Sequence, residues 1–176
     1  MKPKLHFQCF EFKYYLPKNK ADKLIPALLN HMNWDPYIAA SDKDYYQVNS
    51  LYFDSPAYGC FWDKEARVRD RKKLRYRFYN DLMAASQVFL EIKRKRDALV
   101  IKDRINLTIS GCNNELDKNL YHLKKENPDN KFLAELIWFK RRNSMKPKLF
   151  VCYKRKALVD KIDPKLRITF DYDIQS

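Results

Sequence analysis

Glycine is nearly missing from this chain: there are two in 176 residues, Gly59 and Gly111. A Walker loop or a dinucleotide fingerprint needs several glycines so that backbone N–H groups can cradle phosphate, and neither fits here. Any phosphate bound by this protein must be held by side chains. The four cysteines, Cys9, Cys60, Cys112 and Cys152, form no CxxC pair. That argues against a zinc site and a dense disulfide framework, and predicts reduced, cytosolic thiols. No apolar run approaches the length of a membrane span, and the opening MKPKLHFQCFEFKYYL lacks the uninterrupted apolar core and cleavage site of a secretory signal. The expectation is a soluble cytoplasmic domain with no membrane-spanning segment. His6, His31 and His122 show no partner spacing and read as surface or packing residues. No repeat, low-complexity tract or linker interrupts the chain.

What the chain has in excess is positive charge. Lys and Arg number 36 against 22 Asp and Glu, a formal charge of +14. An anionic partner follows as the first expectation: nucleic acid, polyphosphate, nucleotide or an acidic membrane. Hydrophobic residues at 45% and aromatics at 15% supply a core, so the charge decorates a folded chain and not a disordered one. The length suits one domain, residues 1–176.

Seven segments alternate at the strand period: 5–16, 45–55, 72–79, 87–95, 99–109, 147–158 and 166–174. In LRYRFY, residues 74–79, Arg75 and Arg77 fall on one side and Leu74, Tyr76 and Phe78 on the other. The same split recurs. Glu11 and Lys13, Glu91 and Lys93, Lys102 and Arg104, Arg155, and Arg167 with Asp171 share the charged parity of their strands. Helical spacing appears at 20–32, through Leu24, Leu28, Leu29 and Met32, with Pro26 expected to kink or shorten it. Residues 115–142 read as a helical pair, and Trp34, Trp62 and Trp138 as packing residues between helices and sheet. Two architectures satisfy the pattern. An open sheet could carry helices on its apolar face and show a basic face to solvent, or the sheet could close with its charges inside. Carboxylates at the same parity as the cations favour closure, because a face for bare nucleic acid gains nothing from them. Among many cations, a carboxylate could hold a divalent metal that in turn binds phosphate oxygens.

The motifs FEFKYYL (10–16), VNSLYFDS (48–55), KLRYRFY (73–79), FLEIKRK (89–95), IKDR (101–104), VCYKRKAL (151–158) and RITFDYD (167–173) resemble the successive strands of the VTC domain. That domain belongs to the triphosphate tunnel metalloenzymes, related to the CYTH proteins. The resemblance implies an α+β fold: an antiparallel β-barrel tunnel with flanking helices. It also implies that the family's last strand and C-terminal segment are lacking from 1–176. Carried over by motif, Lys13, Arg75, Arg77 and Lys93 would be catalytic, and Lys102, Arg104, Tyr153, Arg155 and Arg167 would bind phosphate. Glu11, Glu91 and Asp171 would hold Mn²⁺ or Mg²⁺. Cys9 stands where hydrolytic relatives carry the first glutamate of ExExK, which weakens a triphosphatase reading. The implied function is a metal-dependent polyphosphate polymerase that moves the γ-phosphate of ATP onto polyphosphate. Its partners would be ATP, triphosphate and inorganic polyphosphate, with no sequence-specific nucleic acid. The alternatives are a non-catalytic polyphosphate or triphosphate sensor, a triphosphatase, and an RNA-binding module. The plainer reading of Glu11 and Glu91 is as counter-ions to their basic neighbours.

Overall fold

A computed structural model describes residues 5–81, 87–107 and 116–176. Eight strands form one antiparallel sheet: β1 (His6–Phe10), β2 (Met32–Trp34), β3 (Tyr46–Asp54), β4 (Asp70–Tyr79), β5 (Val88–Arg96), β6 (Leu99–Leu107), β7 (Lys146–Asp160) and β8 (Arg167–Gln175). Helices α1 (Lys18–Leu29), α2 (Pro36–Ala39), α3 (Gly59–Glu65), α4 (Leu116–Glu126) and α5 (Lys131–Arg142) fill the connections. The sheet runs β1-β6-β5-β4-β3-β7-β2, with β8 paired to β7. β7 is long enough to pair with β3 and then β2 on one edge and with β8 on the other.

The antiparallel sheet and its flanking helices are as expected, but the expected closed barrel is corrected to a sheet that, among the described residues, stays open. Closure needs hydrogen bonds between the two outermost strands, whereas among the described residues β1 pairs only with β6 and β8 only with β7. The expected strand over 5–16 is also shorter, because pairing stops at Phe10, opposite Leu99 at the start of β6. There β5 and β6 meet in the two-residue turn Asp97–Ala98. Asp97 has φ 52°, a left-handed position that aspartate tolerates.

The face assignment follows the alternation. Phe53, Leu74, Tyr76, Leu90, Ile92 and Leu107 pack with Leu116, Leu120, Leu133, Leu136 and Phe139 of α4 and α5. Leu51, Phe78 and Ile105 flank the same cluster. The helices therefore cover the apolar side, and the charged parity lies on the other. Asn130 starts α5 by accepting a hydrogen bond from the Leu133 N–H. An ion-pair network then ties the outer helix to the sheet, with Glu135 accepting from Lys72 and Arg94, and Asp103 accepting from Arg94.

A smaller cluster joins α1 to β2, β7 and β8 through Ala21, Ile25, Met32, Leu158 and Phe170. α1 continues through Pro26, which lies on its exposed side, so the Asp22 carbonyl that loses its intrahelical donor can be met by water. The buried stripe runs through Ala21 and Ile25, while Leu24 is exposed. Trp62 and Trp138 are 61% and 55% exposed, so neither serves as the packing residue expected of it; Trp34 borders the α1 cluster. Cys9, Cys60 and Cys152 are free thiols, and Cys112 lies outside the described residues. No helix among the described residues is long and apolar enough to cross a membrane.

Leu136 is fully buried between α5 and the sheet, so Leu136→Ala should destabilise the fold by about 2–5 kcal/mol. Urea unfolding monitored by circular dichroism would measure it, and a loss well under 1 kcal/mol would contradict this packing. Burial, with the Asp54 carboxylate nearby, pushes the Cys60 thiol up to about 12. Cys60 should accordingly resist alkylation in the native protein at neutral pH while exposed Cys9 reacts, as mass spectrometry of the labelled peptides would show.

Candidate polyanion-binding face

Strand register lines up the charged side chains in rows. Tyr52, Arg75, Glu91 and Arg104 stand opposite one another on β3, β4, β5 and β6. The next row holds Lys73, Lys93, Lys102 and Phe7, and the row on the other side Ser50, Arg77, Phe89 and Asn106. Alternation alone puts each residue on this face, and the antiparallel ladder makes them neighbours.

Arg75 is 4% exposed and Glu91 2%, and the two form an ion pair through Arg75 Nη2. Arg75 Nη1 donates to the Tyr52 hydroxyl at 3.0 Å, and Arg75 Nε is buried without a hydrogen-bond partner. Arg77, 7% exposed, donates from Nε and Nη2 to Ser50 Oγ at 3.2 Å and from Nη2 to the Tyr153 hydroxyl at 3.3 Å. These partners are neutral, so the buried Arg77 charge has no carboxylate of its own among the described residues. Lys93 Nζ bonds Glu11 Oε2 at 2.6 Å. The Arg104 guanidinium lies between Phe89 and Phe7, 4.1 and 4.7 Å from the ring centroids, which fixes its plane.

The face continues across β3 onto β7 and β8. Tyr153 accepts from Arg155 as well as Arg77, and Arg155 makes a fork with Asp171 at 2.7 and 2.8 Å. Farther along, Arg167 Nη2 bonds Asp35 Oδ2 at 2.6 Å, and Asp35 also caps α2 through the Tyr37 N–H. Lys13 lies past the end of β1, exposed, and its charge reaches Glu11. Sequence reasoning did not assign Ser50, Tyr52, Lys73 or Asp35 to the site. Ser50, Tyr52 and Lys73 have the right parity, which was the available signal; Asp35 comes from a loop before a one-turn helix and had none. Asp54 accepts N–H bonds from Ser55, Cys60 and Phe61 at the start of α3.

The electrostatics show a surplus of cations. Burial alone would raise Glu11, yet the charge and hydrogen bond of Lys93, with Lys13 and Lys102 nearby, hold it at about 2. Burial is likewise outweighed at Glu91, which Arg75 and Arg77 pull below the usual carboxylate range. Lys93 and Lys102 move down as well, because burial penalises their charge more than the neighbouring carboxylates, Glu11 foremost, favour it.

The expected metal trio is not assembled. Glu91 is held by Arg75, Glu11 by Lys93 and Asp171 by Arg155. No group of three or more His, Cys, Asp or Glu able to hold a metal ion occurs among the described residues. The residues present do not fit a divalent ion in this arrangement.

Removing one partner of a buried ion pair leaves the other uncompensated, so Glu91→Gln should lower stability by about 3–5 kcal/mol in the absence of an added anion. Denaturant titration would measure the loss. For Glu11 the folded pKa of about 2 lies below the ordinary glutamate value of 4.5, so the carboxylate contributes stability above pH 4.5 that is lost as the pH falls toward 2. The stability difference between the wild type and Glu11→Gln should shrink through that window; a difference that grows with acid would contradict the ion pair.

The sequence matches the VTC domain over residues 8–176. No curated protein matches. Solved structures similar to the chain include a candidate adenylate cyclase from Bacillus halodurans, 13% identical over 97% of this chain and 77% of that one, with a TM-score of 0.46. Another is a candidate adenylyl cyclase from Hippeastrum described as having dominant triphosphatase activity, 19% identical over 94% of this chain and 70% of that one, with a TM-score of 0.41. Because the match runs from residue 8 to residue 176, nearly the whole of the sequence, this chain belongs to the VTC domain family.

Proposed function

We propose that this chain is a polyphosphate polymerase domain that binds the triphosphate of ATP and inorganic polyphosphate on its cation-lined face. Membership of the VTC family supports a polyphosphate-related or triphosphatase activity. One observation carries the reading to this site: Arg75, Arg77, Lys93, Lys102 and Arg104 share a face on which, among the described residues, the carboxylates paired with a member of this set are Glu11 and Glu91. Like charges so arranged are stabilised by a ligand that brings several negative charges at regular spacing, and a linear phosphate chain does so.

In such a reaction the terminal oxygen of a polyphosphate chain forms a new bond to the γ-phosphorus of ATP as the bond to the bridging oxygen breaks, and ADP leaves. The side chains need supply no covalent intermediate. Arginine forks fix the phosphate oxygens and offset the charge on the phosphoryl group in flight, which is the main demand of phosphoryl transfer. Arg77 is positioned for this by Ser50 and Tyr153, and Arg75 by Glu91 and Tyr52. The family implies a divalent metal, Mn²⁺ or Mg²⁺ on this reading, but no step is assigned to it because the three expected carboxylates are each paired with a cation.

That pairing favours a second reading, a polyphosphate-binding domain without turnover. Incubation with ATP and Mn²⁺, followed by polyacrylamide sizing of the polymer, separates the two. Polymer growth with release of ADP supports the polymerase, while binding of tripolyphosphate without polymer or hydrolysis supports the sensor. Release of phosphate from tripolyphosphate without growth would mark a triphosphatase. On any of these, Arg77→Ala should weaken tripolyphosphate binding by about 1.5–3 kcal/mol, roughly 10- to 150-fold in Kd by calorimetry. Tight binding of mixed-sequence RNA combined with no affinity for tripolyphosphate would overturn the reading.

A further inference from the structure

The disagreement between the metal expected of the family and the carboxylates observed has a consequence for the order of binding. We infer that the free protein has no divalent-metal site on this face and that the polyanion binds first, directly to side chains, without metal. This inference rests on the polyanion-binding reading above and deepens it.

Three features of the face carry it. Each acid that could ligate a metal already accepts from a cation across the sheet: Glu91 from buried Arg75, Glu11 from Lys93, and Asp171 from both sides of the Arg155 fork. For Glu91 to turn to a metal in the free protein, Arg75 would be left buried with only the Tyr52 hydroxyl, which is the costly half of breaking a buried pair. A dication would also enter a region where cations already outnumber carboxylates.

The donors left open point to an anion. Arg75 Nε is buried with no partner, and an orphaned guanidinium N–H is a debt that a phosphate oxygen can settle. Arg77 spends Nε and Nη2 on hydroxyls and leaves Nη1 without a hydrogen bond to any described residue. Exchanging a hydroxyl for phosphate costs Arg77 no ion pair. Once phosphate oxygens lie on Arg75, it no longer depends on Glu91 as its counter-ion, so Glu91 would be available to a divalent ion only after the anion has bound. In the free state Glu91 and Glu11 act as placeholders for the anion.

Calorimetry with sodium tripolyphosphate at constant ionic strength, in EDTA and in excess Mn²⁺, tests the order together with Mn²⁺ electron paramagnetic resonance on the ligand-free protein. Binding in EDTA should persist within about tenfold of the Mn²⁺ value, and the free protein should leave the aqueous Mn²⁺ signal undiminished. Glu11→Gln should bind tripolyphosphate in EDTA at least as tightly as the wild type, since a competing negative charge has gone. Glu91→Gln should do the same where it folds, and the anion should recover much of its lost thermal stability. A hundredfold or greater loss of binding in EDTA would overturn the inference while leaving the polyanion reading in place. So would Mn²⁺ held by the ligand-free wild type and lost in Glu11→Gln. Absence of tripolyphosphate binding under both conditions would overturn the inference and the polyanion reading together.

Discussion

Arg75 and Glu91 sit opposite each other on β4 and β5, with almost no contact with water. Taking two charges out of water is tolerable only where the pair is close and its remaining donors and acceptors are met. Here the antiparallel register brings the partners together, and Tyr52 on β3 meets a further donor. The remaining unmet group, Arg75 Nε, lies on the side chain where the face is most buried. The charged face depends on this interaction, because it fixes the plane of one guanidinium and leaves Arg77, two residues along the same strand, with only hydroxyls for partners.

From that pair the rest of the arrangement extends in both directions. Toward β6 and β1, Arg104 is flattened between two phenylalanines, and Lys93 and Lys102 crowd Glu11. Toward β7 and β8, the Tyr153 hydroxyl is shared by Arg77 and Arg155, so the two groups of cations are joined by hydrogen bonds across the sheet. The helices contribute rigidity from the other side. α4 and α5 bury the apolar parity of β4, β5 and β6, so a one-residue slip in register would send leucines to the charged face and arginines into the core. The same burial that stabilises the sheet therefore specifies where the cations point.

This arrangement also bears on what a VTC domain requires of its metal. The usual expectation places carboxylates as ready ligands, whereas here they serve as counter-ions within a cation-rich surface. On the proposed reading, a phosphate chain would take the place of the carboxylates on Arg75 and Lys93, and buried Glu91 would then need a new positive partner.

Much of the charged face was legible in the sequence because strand periodicity is a local property. The parity of Arg75, Arg77, Glu91, Lys93, Lys102 and Arg104 assigned them to one side without any knowledge of the pairing, and the helices at 116–126 and 131–142 were announced by their spacing. The sequence motifs likewise carried the family. Partnership was not legible. That Glu91 meets Arg75, Glu11 meets Lys93 and Arg167 meets Asp35 depends on register between segments up to 132 residues apart, which no local pattern encodes. Nor could alternation reveal that β1 ends at Phe10 or that, among the described residues, β1 and β8 do not pair with each other, since closure is a relation between the two ends of a sheet and not a property of either strand. The sequence by itself determined which side chains share a face. Only the tertiary structure decided which of them neutralise one another, because burial and distance, and not residue type, set whether a carboxylate is a counter-ion or a free ligand.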